Sequence, residues 1–299
     1  MSREYQGVSN RLCLMCCGLL GLIIGLAGGC ARWLPIVAEE MPVGVVPKRS
    51  EISADTVGVE TILLRLTALD AQGLPELWSA ADEQFLPAGL RMDLDRNGLR
   101  VGKFHGMLPG VVQRWISENA NRIQTDPLEQ AGVVADVSSF TQIFRCRASQ
   151  RKELTIRNLQ QDSVTLLYND GGVKGGQYER PHFMMSLQAT PNGDGSARLQ
   201  LIPEMEYGQA RRVVVAKDSA IRTDERRESL VWKDLGLDLQ LQLGDCLMLG
   251  ATIPAHGIGE HYFRTLTRGS ERQDVILLVR ISELHPPDEF VRNTQERKP

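Results

Sequence analysis

From residue 133 onward the chain is written in short runs of alternating or branched apolar residues separated by turn residues. That pattern restricts what it can fold into. The runs are Phe140 to Ala148, Glu153 to Ile156, Val164 to Tyr168, Phe183 to Thr190, Ala197 to Met205, Arg212 to Ala216, Leu235 to Leu241, Cys246 to Ile253, Tyr262 to Thr267 and Val275 to Ile281. Between them lie turn signals such as Asn169-Asp170-Gly171-Gly172, Asn192-Gly193-Asp194-Gly195 and Arg268-Gly269-Ser270. Gly and Asn reach positive φ cheaply, so these clusters reverse the chain. Many short strands at such spacing predict an antiparallel β-rich domain over 133–284, a sandwich or an open sheet.

The preceding stretch has a different texture. Val59 to Thr67 is rich in branched residues and reads as a strand, as does Leu99 to Phe104. Leu74 to Glu83 places Pro75 at a helix start and Leu74, Leu77, Trp78 and Ala81 at helical spacing. Pro87 to Arg96 repeats the pattern and ends at Asn97-Gly98, a left-handed cap. Leu108 to Ile123 carries an apolar stripe of Val111, Val112, Trp115 and Ile116. Residues 57–125 therefore predict a small α+β module ahead of the larger β-rich domain, an α+β chain overall. Residues 285–299, with Pro286-Pro287 and mixed charge, predict a flexible tail.

The first thirty residues set the address. Arg3 and Arg11 precede an uncharged run, LCLMCCGLLGLIIGL, from Leu12 to Leu26, which is followed by Ala27-Gly28-Gly29-Cys30. A basic start, an apolar core of about 15 residues and small residues at a boundary make a signal peptide over 1–29. The core is shorter than the roughly 20 residues of a spanning helix. LAGGC resembles the lipobox of bacterial lipoproteins, which implies lipid attachment at Cys30 and a proline-containing tether over 30–56. Ala27 stands where that family prefers leucine, so an uncleaved signal anchor and an ordinary secreted protein remain alternatives. In the lipoprotein reading two acyl chains, at about 0.8 kcal/mol per buried methylene, give stable attachment.

Cys13, Cys16 and Cys17 belong to the leader, which leaves Cys146 and Cys246 for the folded part. In an oxidising compartment these two could pair, closing a loop of about 100 residues. The alternative is that both are small buried hydrophobes.

Three segments in order carry a further likeness. Met184 to Met205 (MMSLQATPNGDGSARLQLIPEM) is a strand, a Pro-x-Gly-x-Gly turn and a second strand ending in Pro-Glu. Leu237 to Gly250 (LDLQLQLGDCLMLG) and Val275 to Ile281 (VILLVRI) follow. This order resembles the C-terminal domain of secretins, the pore proteins of type II and III secretion, over roughly the last 100 residues. The resemblance implies a secretin-like β-fold and, as an alternative role, an oligomeric secretion or pore subunit. The family's gate segment has no counterpart, because residues 251–270 read ATIPAHGIGEHYFRTLTRGS instead.

Nothing in the chain forms a catalytic signature, so the expectation is a non-enzyme without cofactor. His256, Glu260 and His261 (HGIGEH) are the residues nearest to a metal set, with two imidazoles and a carboxylate of the types zinc takes. Their spacing is not that of HExxH, the glycines oppose a helix and no third protein partner is implied; a polar loop between strands is the plainer reading. A formal net charge of -3, from 34 basic and 37 acidic residues, argues against nucleic acid as a partner. Arg145, Arg147, Arg151, Lys152 and Arg157 read as a solvated basic face or a surface for an anionic partner. The expected role is a membrane-anchored envelope protein facing the periplasm. Its expected partners are membrane lipid at the N-terminus and envelope proteins, with self-association among them. A metal-dependent envelope enzyme at HGIGEH is a further alternative.

Overall fold

The computed structural model describes residues 55–125, 140–148, 150–159, 161–169, 172–217, 220–266 and 272–285, all within one compact unit. The leader, Cys30, nearly all of the tether and residues 286–299 of the tail lie outside the described residues.

In chain order the strands are β1 (Thr56–Arg65), β2 (Leu99–Phe104), β3 (Phe140–Arg147), β4 (Lys152–Asn158), β5 (Ser163–Asn169), β6 (Gly172–Tyr178), β7 (His182–Pro191), β8 (Ser196–Lys217), β9 (Ala220–Val231), β10 (Leu237–Gln242), β11 (Cys246–Ala251), β12 (Arg264–Leu266) and β13 (Arg272–His285). The helices are α1 (Ala68–Ala71), α2 (Leu74–Ala80), α3 (Ala88–Arg96), α4 (Gly110–Thr125) and α5 (Gly257–Phe263), with a 3-10 turn at Lys233–Leu235. Pairing is antiparallel throughout, so the expected β-rich antiparallel character is what the chain adopts.

Three layers follow from the burial pattern. The first sheet runs β2-β11-β13-β1-β3, with β12 beside β13; the second runs β10-β8-β7-β4, with β9 beside β8. The central strands β1, β11 and β13 of the first sheet are buried on both faces, whereas the edge strand β3 is largely exposed. Ile62, Leu64, Met248, Ile276 and Leu278 pack under α2 and α4, with Trp78 and Trp115. Leu63, Leu247, Leu249, Leu277 and Val279 pack against the second sheet, on Leu187, Leu199, Leu201 and Met185. That is why Leu247 to Leu249 and Val275 to Val279 are unbroken apolar runs. The second sheet has one wet face, so β8 and β10 alternate: Leu199, Leu201, Leu237 and Leu241 are buried, while Arg198 and Asp238 are exposed.

The expected boundary between 57–125 and 133–284 does not divide the structure. β1 lies between β13 and β3, paired with β13 from Thr56↔His285 to Arg65↔Val275 with one register shift between Gly58 and Val59, and β2 pairs with β11. The two stretches share one sheet because a strand as apolar on both faces as β1 needs hydrogen-bonded neighbours on each edge and a covering layer on each side.

Two local expectations also change. Arg212 to Ala216 is not a separate strand but the end of the 22-residue β8, and its partner β9 is one of the most charged strands in the chain. Tyr262 and Phe263 end the helix α5 rather than opening a strand.

Candidate functional site

α5 contains most of the HGIGEH segment, and its glycines serve close packing. Gly257, at φ +56°, and Gly259 lie against the turn formed by Asn97 and Gly98 (φ +75°). A Cβ on Gly259 would sit 1.8 Å from the Gly98 carbonyl oxygen. The contact is hydrogen-bonded, with Gly259 N–H donating to Asn97 O at 2.9 Å and Thr252 N–H donating to Gly98 O at 2.9 Å. Tertiary contact therefore outweighs the poor helix propensity of glycine here.

Asn97 organises this junction and is fully buried. Its Nδ2 donates to Asp93 O at 2.8 Å and to Tyr168 O at 2.9 Å, while its Oδ1 accepts from Tyr168 N–H at 2.8 Å. One side chain thus ties α3 to β5, and its backbone ties both to α5.

The two histidines diverge. His256 Nε2 donates to Asp95 O at 3.0 Å, and its Nδ1 lies 3.1 Å from Thr252 Oγ1 and 3.1 Å from Pro254 O. His261, on the far side of the helix, stacks on Phe183 with ring centroids 5.3 Å apart. Its Nε2 donates to Val164 O at 3.0 Å, leaving Nδ1 to face Ser163 Oγ at 3.5 Å. Among the described residues no group of three or more His, Cys, Asp and Glu side chains is placed to hold a metal ion.

Glu260 and His261 instead line a cleft of about 310 Å³ with Arg157, Leu159, Ser163, Arg264, Thr265 and Arg272. Arg157, on β4, is 9% exposed and its Nη1 donates to His261 O at 3.1 Å. Arg264 Nε donates to Asp274 Oδ1 at 3.2 Å. Burial lowers the His261 pKa below its usual value; the Val164 carbonyl offsets this in part and the Arg157 charge adds to the lowering. The basic stretch from Arg145 to Arg157 is not one face. Arg145 reaches Glu283 at 3.7 Å, Arg151 pairs with the buried Glu204, and Arg157 turns into the cleft.

The cysteines do not meet. Both are free and buried. Cys146 on β3 faces the inter-sheet core, and Cys246 on β11 faces the helices. β13 and β1 separate their strands, so three strand spacings alone put at least about 14 Å between them, on opposite faces, against a disulfide limit of about 7 Å. The possible disulfide is thereby corrected. Burial pushes the Cys146 thiol up to about 11 and the Cys246 thiol up to about 12.

A second candidate is the β8–β9 ribbon. β7 pairs with β8 only as far as His182↔Glu206, whereas β8 and β9 continue from Arg211↔Arg226 to Lys217↔Ala220. These seven paired positions span about 24 Å. Gly208, at φ +73°, bends the strand where the arm begins. Arg227 pins that bend, its Nε donating to Gly208 O at 2.8 Å and its Nη2 to Arg180 O at 2.5 Å. Arg211 and Arg212 are exposed and reach Glu228 and Glu225 at 3.3 and 3.4 Å. The charged composition of β9, with Arg222, Asp224, Glu225, Arg226, Arg227 and Glu228, hid the arm from periodicity.

No protein-family model, curated protein or solved structure matches the chain.

Proposed function

We propose that this chain is a membrane-anchored protein of the bacterial cell envelope that works through protein contacts rather than catalysis. It is held by lipid at Cys30, faces the periplasm and presents its β8–β9 arm to other copies or to envelope partners. The observation that carries the reading is the arm itself. Among the described residues no third strand pairs with the ribbon beyond Glu206, and a two-stranded ribbon alone is marginal in water and offers its edges to extend a sheet. An anchor restricts copies to a surface and raises their effective concentration, so modest arm contacts suffice for assembly.

The secretin-type subunit is the second reading. It is favoured by one specific feature: the resemblance-bearing segments fall on β7–β8, β10–β11 and β13, which join both sheets.

Two experiments test the proposal. Cys30→Ala is expected to abolish lipid labelling and release the chain from the membrane fraction; unchanged fractionation contradicts the anchor. A photo-crosslinker placed at position 211 is expected to trap a second copy or an envelope protein in cells. Crosslinking no stronger than from position 76, an exposed site on α2, contradicts the arm's role.

A further inference from the structure

We propose that the cleft between α5, β4, β5 and the paired strands β12 and β13 is a binding site for a compact oxyanion of the phosphate class. Three guanidiniums, from Arg157, Arg264 and Arg272, line it together with one carboxylate, Glu260. Arg157 lies more than a hundred residues before Arg264 and Arg272, so chain folding, not local composition, brings the three together. Phosphate oxygens match guanidinium donors in pairs, a geometry that a point charge does not provide.

The site is built rather than loose. Arg157 is held by the His261 carbonyl, Arg264 by Asp274, and the His261 ring by Phe183 and the Val164 carbonyl. Ser163 and Thr265 add hydroxyls to the lining. A cavity of about 310 Å³ lies at the small end of ligand sites, which fits a phosphate group with a short substituent rather than a nucleotide or a peptide segment. His261 deepens the argument. Its Nε2–H is committed to Val164, so its Nδ1 faces Ser163 as an acceptor. Arg157 opposes and Glu260 favours a proton on the ring; an anion seated beside it would oppose the charge of Arg157 and favour uptake of that proton, so anion affinity rises as pH falls.

The phosphate group could be free inorganic phosphate or a phospholipid headgroup. Titration calorimetry of the full chain in detergent, with inorganic phosphate and separately with sulfate, reads the shared chemistry. Saturable binding is expected in the wild type, weakened about tenfold or more by Arg272→Gln and by Arg264→Gln. Arg198→Gln, on the exposed face of the second sheet, is expected to bind as the wild type does. Arg272 is exposed, so its variant keeps the fold even if loss of the Arg264–Asp274 pair does not. Sulfate keeps its charge near neutrality, so tighter sulfate binding at lower pH that is lost in His261→Asn reports the histidine. Displacement of bound phosphate by phosphatidylglycerol vesicles, but not by phosphatidylcholine vesicles, identifies a headgroup; no displacement by either identifies the free anion. Absence of saturable binding up to about 10 mM of either anion, or equal binding by Arg272→Gln and the wild type, overturns the proposal.

Discussion

Asn97 and Tyr168, 71 residues apart in sequence, exchange two hydrogen bonds: Asn97 Oδ1 accepts from Tyr168 N–H at 2.8 Å and Asn97 Nδ2 donates to Tyr168 O at 2.9 Å. The side-chain amide, itself fully buried, thereby acts as one more peptide group beside β5. Replacing it with Ala takes the partners from a backbone donor and acceptor of Tyr168 and empties a fully buried side-chain position. Asn97→Ala is expected to cost about 2–4 kcal/mol of unfolding free energy. Urea titration checks this; a loss below about 1 kcal/mol contradicts the bonded geometry.

Gly259→Ala tests the approach of α5 to the Asn97–Gly98 turn. In an ordinary exposed helix this change stabilises by nearly 1 kcal/mol. Here the new methyl meets a backbone carbonyl, so a loss of about 2 kcal/mol or more is expected. The sign of the change in unfolding free energy decides the matter.

Cys146 and Cys246 are expected to resist alkylation in the folded chain at pH 8, since burial shields both thiols and raises their pKa values. Both are expected to react fully in denaturant. Peptide mass mapping separates them from the leader cysteines, and a linked Cys146–Cys246 peptide from non-reduced protein would contradict the opposite-face placement.

The pH dependence has a definite sign. His261 has a lowered pKa, first from burial, and so does His182, from burial and then from Arg227 and Arg180. Protons therefore bind the unfolded chain more readily than the folded one below its ordinary histidine value of 6.5. Their contribution is fully present above that pH and is lost as pH falls through the lowered folded values. The urea midpoint is expected to drop between about pH 7 and about pH 5, with a shallower drop in His261→Asn. An equal slope in that variant contradicts the assignment.

Much of the β-architecture was legible in the sequence because burial leaves different marks on different sheets. Val275 to Val279 is unbroken because layers cover both faces of β13, and Leu237 to Leu241 alternates because one face of β10 is wet. Local pattern carries no strand order, so the insertion of β1 between β13 and β3 was hidden, and with it the merger of the expected module into the main fold. β9 was missed because a strand outside the core has no apolar period, and β6 because a strand with Gly172, Gly175 and Gly176 has none either. At the site, HGIGEH drew attention for metal chemistry. Its glycines instead answer to close packing and its histidines to separate carbonyls, while Arg157, Arg264 and Arg272 share a cleft only once the chain is folded.

The role of the arm is tested most directly by the mass of the purified full chain in detergent, measured by light scattering. The comparison is a variant in which residues 210–226 are replaced by Asn-Gly, closing β8 on β9 near the Arg227 pin. The wild type is expected to form an oligomer and the variant a folded monomer. Equal masses for the two would contradict assembly through the arm.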